Sequence, residues 1–401
     1  MSRVGHGHGH SHAQPVEPAS ERVRTLLMWL LVPLALATIV GAALLYPFGV
    51  EQKTGAEIGL HQTPVEAVVT GVAENCGEKC VAVTVKMTDG AASGQSITIP
   101  SVKGPGAPSF KLGDEVVLSY AGSQPQAAES YQIVDFQRGW SLAVLALLFA
   151  AAVLLLGRWQ GLAALGALLL SFVVLVLFIM PSILAGQNPL MVAVVGAGLI
   201  MFVVLYVTHG ISARTSTAVL GTLVSLALIG VLGAAFSALA SLTGIDDDTT
   251  NLVTLLGTDI DTRGLLLAGT LIGALGVLDD VTVTQAVTVA EMTPGATSRW
   301  ELYRAAIRVG RAHVASAVNT IVLAYAGASL PLLLLITASS APVGELLTSE
   351  YLAQEILRSA VGTIGLVASV PITTALAVLV AELRPATAAL PPRAGRHARR
   401  A

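Results

Sequence analysis

Charge is what this sequence is poorest in. Asp, Glu, Lys and Arg make up 12% of the 401 residues, against 54% hydrophobic, about half the charged share of a soluble globular chain. That shortfall excludes an ordinary water-soluble protein and points to a bilayer as the solvent. Several catalytic signatures are missing too. There is no G-x-x-x-x-G-K-[ST] loop, so no ATPase resides in the chain. There is no H-E-x-x-H or G-x-S-x-G, so neither a zinc protease nor a serine hydrolase is indicated. The segments expected to face the cytoplasm are too short for a catalytic domain, and no enzyme is expected. Cysteine is almost absent: Cys76 and Cys80, in ENCGEKC, are the only two. In an oxidising compartment the simplest reading of this spacing is a local disulfide; a two-ligand metal site would lack further Cys or His nearby.

What the chain has in abundance is long apolar runs. Windows of roughly 20 residues, enough to cross about 30 Å of hydrocarbon as helix, begin near Leu26, Trp140, Leu162, Leu190, Thr217, Gly264, Val314 and Ser359. No clean small-residue cleavage pattern follows the first, which is read as a retained span. With the N-terminus inside, the cytoplasmic segments hold Arg3, Arg22, Arg24, Arg158, Arg214, Arg299, Arg304, Arg308, Arg311, Arg384, Arg393, Arg396, Arg399 and Arg400. The short outside loops hold only Arg263 and Arg358, beside Asp246, Asp247, Asp248, Asp259, Asp261, Glu345, Glu350 and Glu355. This asymmetry predicts a polytopic α-helical membrane protein of about eight spans with both termini cytoplasmic. A bacterial plasma membrane is the expected location.

The expected domains are a His-rich cytoplasmic tail (1–25), a first transmembrane helix (26–47), an extracytoplasmic β-rich domain (48–137), a seven-helix transmembrane domain (138–383) and an Arg/Pro-rich cytoplasmic tail (384–401). In the β-rich insert, VEAVVTGV (65–72), CVAVTVKM (80–87), QSITIP (95–100), DEVVLSY (114–120) and ESYQIVDF (129–136) alternate as strands do. Turn residues separate them, which suggests a small OB-like barrel.

Within the spans, GALGVLDDVTVTQ (273–285) carries two adjacent carboxylates, Asp279 and Asp280. A charge at the bilayer centre is disfavoured by roughly 2.5–3.5 kcal/mol on insertion scales, so it should face protein or water. On a helix, Gly273, Gly276, Thr284, Val287, Thr288 and Glu291 share the face of Asp280, whereas Asp279 and Thr282 point about 100° or more away. The β-branched run after the pair raises the prospect of a helix broken at Leu278–Asp280, lining a cavity. The two carboxylates, Thr282, Thr284, Gln285 and, from the seventh span, Asn319 supply oxygens suited to a cation or proton. The competing reading is structural: a carboxylate neutralised by a neighbouring Arg, a role that suits Asp279 better than Asp280.

Two further polar groups lie near the cytoplasmic ends of spans. His209, Ser212, Arg214 and Thr215 could bind an anion at a helix N-terminus, or could simply cap a helix. His313 and Ser316 begin the seventh span, where Asn319 could instead bond another helix. The spacing His-x-x-Ser-Ala recurs at His209 and His313, and 269–284 weakly matches 362–374, setting Asp279 against Pro371. A duplicated two-helix unit with two broken helices is the expectation that follows. In the tail, GHGHGHSH offers His6, His8, His10 and His12, a weak transition-metal tract if native.

Three long segments carry a resemblance: THGISARTSTAVLGTLVS (208–225), LLLAGTLIGALGVLDDVTVTQA (265–286) and GRAHVASAVNTIVLAYAGASLPLLL (310–334). With them the chain resembles the YibE/F-like family of bacterial multi-pass membrane proteins. That resemblance implies a transporter without specifying the substrate. The function expected is a secondary transporter of a small solute or ion, with the carboxylate pair as its cation or proton site and a divalent metal among the candidates. The alternative is an assembly or binding protein whose β domain docks a partner. A bound cation is the one cofactor the site suggests. The expected partners are the lipid bilayer and a small ion or solute, with self-association left open and no nucleic acid.

Overall fold

The computed structural model describes residues 20–49, 63–74, 76–77, 79–121, 124–245, 250–251, 253–254, 260–338 and 342–383. The chain divides into two compact units, one formed by Phe48–Gly166 with Asp247–Asp259 and the other by the rest.

The first unit holds a curled antiparallel sheet of β1 (Thr63–Ala73), β2 (Cys80–Met87), β3 (Ser96–Val102), β4 (Glu115–Tyr120) and β5 (Tyr131–Phe136), ordered β3-β2-β1-β4-β5. Each strand lies within two residues of its expected position. Alternation explains why: Val65, Ala67 and Val69 of β1 and Val83, Val85 and Met87 of β2 are buried, and the residues between them are less so. Period-two burial is the strand's own geometry. The register pairs Val69 with Val85 and Val65 with Leu118, and a bulge between Val69 and Gly71 bends β1. Cys76 and Cys80 form the disulfide, with Cα atoms 5.4 Å apart, in the β1–β2 connection. The buried Tyr131 donates its hydroxyl to the Pro125 carbonyl at 2.8 Å.

The same unit contains the start of α2 (Gly139–Val174). Its backbone breaks at Arg158, whose φ of 49° lies in the left-handed region. Three residues on, a Cβ on Gly161 would sit 2.4 Å from the Val153 carbonyl oxygen, so only glycine tolerates that approach.

In the second unit, the helix begun in α2 continues through a π-turn (Leu175–Ile179) into α3 (Met180–Leu184). The other helices are α1 (Glu21–Leu45), α4 (Pro189–His209), α5 (Ala213–Leu239), α6 (Thr262–Met292), α7 (Arg299–Ala328), α8 (Leu330–Ala338), α9 (Val343–Leu347) and α10 (Glu350–Val380). Side-chain caps set several starts: Asn188 before α4, Ser212 before α5, Asp261 before α6 and Ser298 before α7 each accept a backbone N–H of the first turn.

The polarity of this unit is inside out. Leu36, Leu44 and Trp29 of α1, Val231 of α5 and Leu379 of α10 are exposed. Thr222 and Ser225 of α5, Thr282 and Gln285 of α6, and Ser369, Thr373 and Thr374 of α10 are buried. Such a surface suits hydrocarbon, and part of the buried polar set bonds from helix to helix, Thr222 with Thr282 and Gln285 with Thr374. Among the described residues, six helices are long and apolar enough to cross a membrane. The chain is a multi-pass membrane protein of helices with a separate β domain.

Two expectations about backbone are corrected here. α6 runs without interruption through Leu278–Asp280, and α10 runs through Pro371. Packing holds them: Ala274, Leu275, Leu278, Val281 and Thr282 of α6 are buried, as are Ser369, Val370, Thr373 and Thr374 around Pro371, and tertiary burial overrides weak local helix propensity.

Candidate functional site

The polar stripe of α6 forms as its spacing requires. Gly273, Gly276, Asp280, Thr284 and Glu291 are all exposed, and Val287 and Thr288 are partly so. α7 runs along this stripe. His313 sets Nε2 3.9 Å from Asp280 Oδ2, and both side chains remain open, at 43% and 76% exposure. That separation is too long for a direct hydrogen bond but within ion-pair reach when the imidazole is protonated. Two residues of the family-like segments at 265–286 and 310–334 are thereby brought together.

Other expected site residues go elsewhere. Asp279 is half-buried and off the stripe. Thr282 is fully buried on the opposite side of α6, where its hydroxyl meets that of Thr222 at 2.6 Å and donates to the Asp279 carbonyl at 3.1 Å. Gln285 is buried as well: its Nε2 donates to the Thr374 hydroxyl at 2.7 Å and the Ala306 carbonyl at 3.1 Å, tying α6 to α10 and α7. Thr284 stays on the stripe and Asn319 is exposed on α7. Asp280, Thr284 and His313 therefore line one open flank, and Thr282 and Gln285 belong to the hydroxyl-rich interior. The adjacent carboxylates diverge, and among the described residues no group of three or more His, Cys, Asp or Glu could hold a metal ion.

At the start of α5 the polar turn is closed on itself. Ser212 accepts from the Thr215 amide at 3.1 Å, the two hydroxyls lie 2.9 Å apart, and Thr208 meets His209 Nδ1 at 2.7 Å. Arg214 follows in the first turn of the helix. His209 ends α4 at a Gly210 with φ 71°, but His313 and Ser316 lie well inside α7. The matched His-x-x-Ser-Ala spacing thus sits in two different local structures. Both helices expected to be broken are continuous. His6, His8, His10 and His12 lie outside the described residues.

Tyr325 belongs with His313, Ser316 and Asn319 in the polar group of the seventh span, but its neighbours could not be read from the sequence. Above the stripe, a Cβ on Gly273 would lie 2.9 Å from the Tyr325 hydroxyl. Tyr325 in turn stands in electrostatic reach of Arg358 and Glu355, which pair through Nη1 and Oε1 at 2.5 Å. Arg358 was legible as an outside charge, but its place two turns inside α10 beside α7 depends on packing that no local pattern encodes.

The YibE/F-like protein family matches residues 145–383. The match takes in the helices from α2 onward and leaves out α1 and the sheet. No curated protein matches the chain, and no solved structure does. Over more than half its length, the chain belongs to the YibE/F-like family.

Proposed function

We propose that this YibE/F-like protein is a secondary transporter of a small solute or ion, with Asp280 as its cation or proton site. The observation that carries the reading is the open Asp280–His313 pair, set on facing helices among apolar spans. Ionisable side chains among apolar spans are costly and mark ion or proton paths, and this pair is left open on the flank rather than closed into a structural ion pair. Thr284 beside it offers a further oxygen, and Asn319 extends the polar character of α7. The interior residues Thr282 and Gln285 hold the helices that must move as a unit. Asp279 serves the site from the side.

Eight spans and two cytoplasmic termini remain our reading of the topology. The stretch Gly139–Leu184 has 46 residues; as one helix it would extend roughly 69 Å, more than twice the ~30 Å of hydrocarbon. Its break at Arg158 favours two spans with that Arg at the inner turn. α7 would supply the remaining one through its C-terminal half, since Arg299, Arg304, Arg308 and Arg311 crowd its beginning. The β domain would lie outside as an OB-like barrel, for which the order β3-β2-β1-β4-β5 is suited.

The test is a thermal-shift screen of the purified chain against zinc, nickel, cobalt, copper, phosphate and sulfate at several pH values, followed by flux of any hit into liposomes. Asp280→Asn should remove both shift and flux. Unchanged flux in that variant would sink the proposal.

A further inference from the structure

We propose that the groove between α6 and α7 is a water-filled proton path, running from Tyr325, Glu355 and Arg358 to Asp280 and His313. It deepens the transporter reading by naming the coupling ion as the proton, and it rests on that reading.

Two cross-helix approaches define the path. At one end the Tyr325 hydroxyl lies over Gly273, within electrostatic reach of the Glu355–Arg358 pair of α10. At the other, His313 Nε2 faces Asp280 Oδ2 at 3.9 Å. Seven residues separate Gly273 from Asp280, roughly 10.5 Å of helix, a gap that a few waters span. Midway, Gly276 is exposed and a Cβ there would meet nothing within 4 Å, so no side chain blocks the flank at that point. The buried Nε of Arg358 has no hydrogen-bond partner among the described residues, and water reaching the upper cluster would give it one.

The chemistry fits a proton better than a metal. Carboxylate, imidazole and phenol all exchange protons, and they come from three helices. Only Asp280 of the adjacent pair faces the groove, and no metal-holding cluster of three is present among the described residues. In each transfer an O–H bond of hydronium breaks as one forms on Asp280 Oδ2, or an N–H forms on His313, and no electron moves. On α6 itself Asp279 is adjacent to Asp280 and Glu291 lies three turns on; α7 offers His313, with Arg304, Arg308 and Arg311 toward its start, and the Glu350, Glu355 and Arg358 of α10 belong to the other end. α4 has only His209 and α5 only Arg214, both at helix ends.

Infrared spectroscopy of the full chain in phosphatidylglycerol-containing liposomes tests the path. A protonated-carboxyl band that titrates and vanishes in Asp280→Asn reports the site. On a switch to heavy water it should exchange quickly, and Gly276→Leu should slow it by roughly tenfold, equivalent to about 1.4 kcal/mol on the barrier. Val231→Leu, on an apolar outer surface, should leave it unchanged. No titrating band, or equally fast exchange in Gly276→Leu, overturns the proposal.

If Gly276→Leu fails to fold, Gly276→Cys with a charged thiosulfonate gives the answer, since both native cysteines are locked in a disulfide. Labelling much faster than at Val231→Cys supports water. An unreactive thiol, or one that cross-links two copies of the chain, overturns it. Loss of the path with intact Asp280-dependent flux would leave the transporter standing. Intact exchange with Asp280-independent flux would do the reverse.

Discussion

Thr282 lies two residues from Asp280 and faces the opposite way, so the two make separable predictions. Its hydroxyl bonds Thr222 and the Asp279 carbonyl inside the bundle. Thr282→Val should lower thermal stability in detergent by about 0.6–2 kcal/mol while leaving ion binding at Asp280 intact. A binding defect with unchanged stability would reverse the assignment. In the β domain, Tyr131 has its phenol pushed upward by burial and then by the neighbouring Tyr120. A raised pKa means the folded state holds the proton longer. The stability this gives is complete below the ordinary phenol value near ~10 and is lost as pH rises through the folded value. Alkaline titration followed by near-ultraviolet dichroism should show that loss. Tyr131→Phe should blunt it at a cost of about 1 kcal/mol near neutral pH, because the Pro125 carbonyl loses its donor.

Among the elements, α5 and α10 are the most closely set. A Cβ on Gly221 would fall 2.2 Å from the Thr373 hydroxyl, and one on Gly365 2.2 Å from Ile229 Cγ1. Gly365→Val should destabilise the bundle by about 1–3 kcal/mol through overpacking, and adding Ile229→Ala should recover part of that loss in the same melt. Equal stability of Gly365→Val and wild type would mean the helices are not this close. The strands were legible because Val65, Val69, Val83 and Val85 alternate with outward residues, a period that leaves one solution. The face shared by Gly273, Gly276, Asp280 and Thr284 was legible for the same reason, with period 3.6. Helix continuity at Asp279–Asp280 and Pro371 was not, since it depends on what packs against the chain. Nor was the opposite placing of His209 and His313, whose identical spacing lies at a helix end in one case and mid-helix in the other. His313 as the counterpart of Asp280 emerges only once α6 and α7 lie side by side.

Within the helical unit, apolar outer faces enclose buried hydroxyls, and one flank keeps its charge exposed. The proposed topology puts the disulfide outside and the start of α7 inside. In spheroplasts an impermeant maleimide should label Cys80 in Cys76→Ser, and should label Arg299→Cys only after lysis; the opposite pattern would invert the chain. On the proposed function, this architecture moves an ion or solute through Asp280. Its most direct test is flux of an identified ligand into liposomes carrying wild type, Asp279→Asn or Asp280→Asn, each shown to be folded. Asp280→Asn should abolish flux and Asp279→Asn should only weaken it. Flux at the wild-type rate in Asp280→Asn would contradict the proposed function.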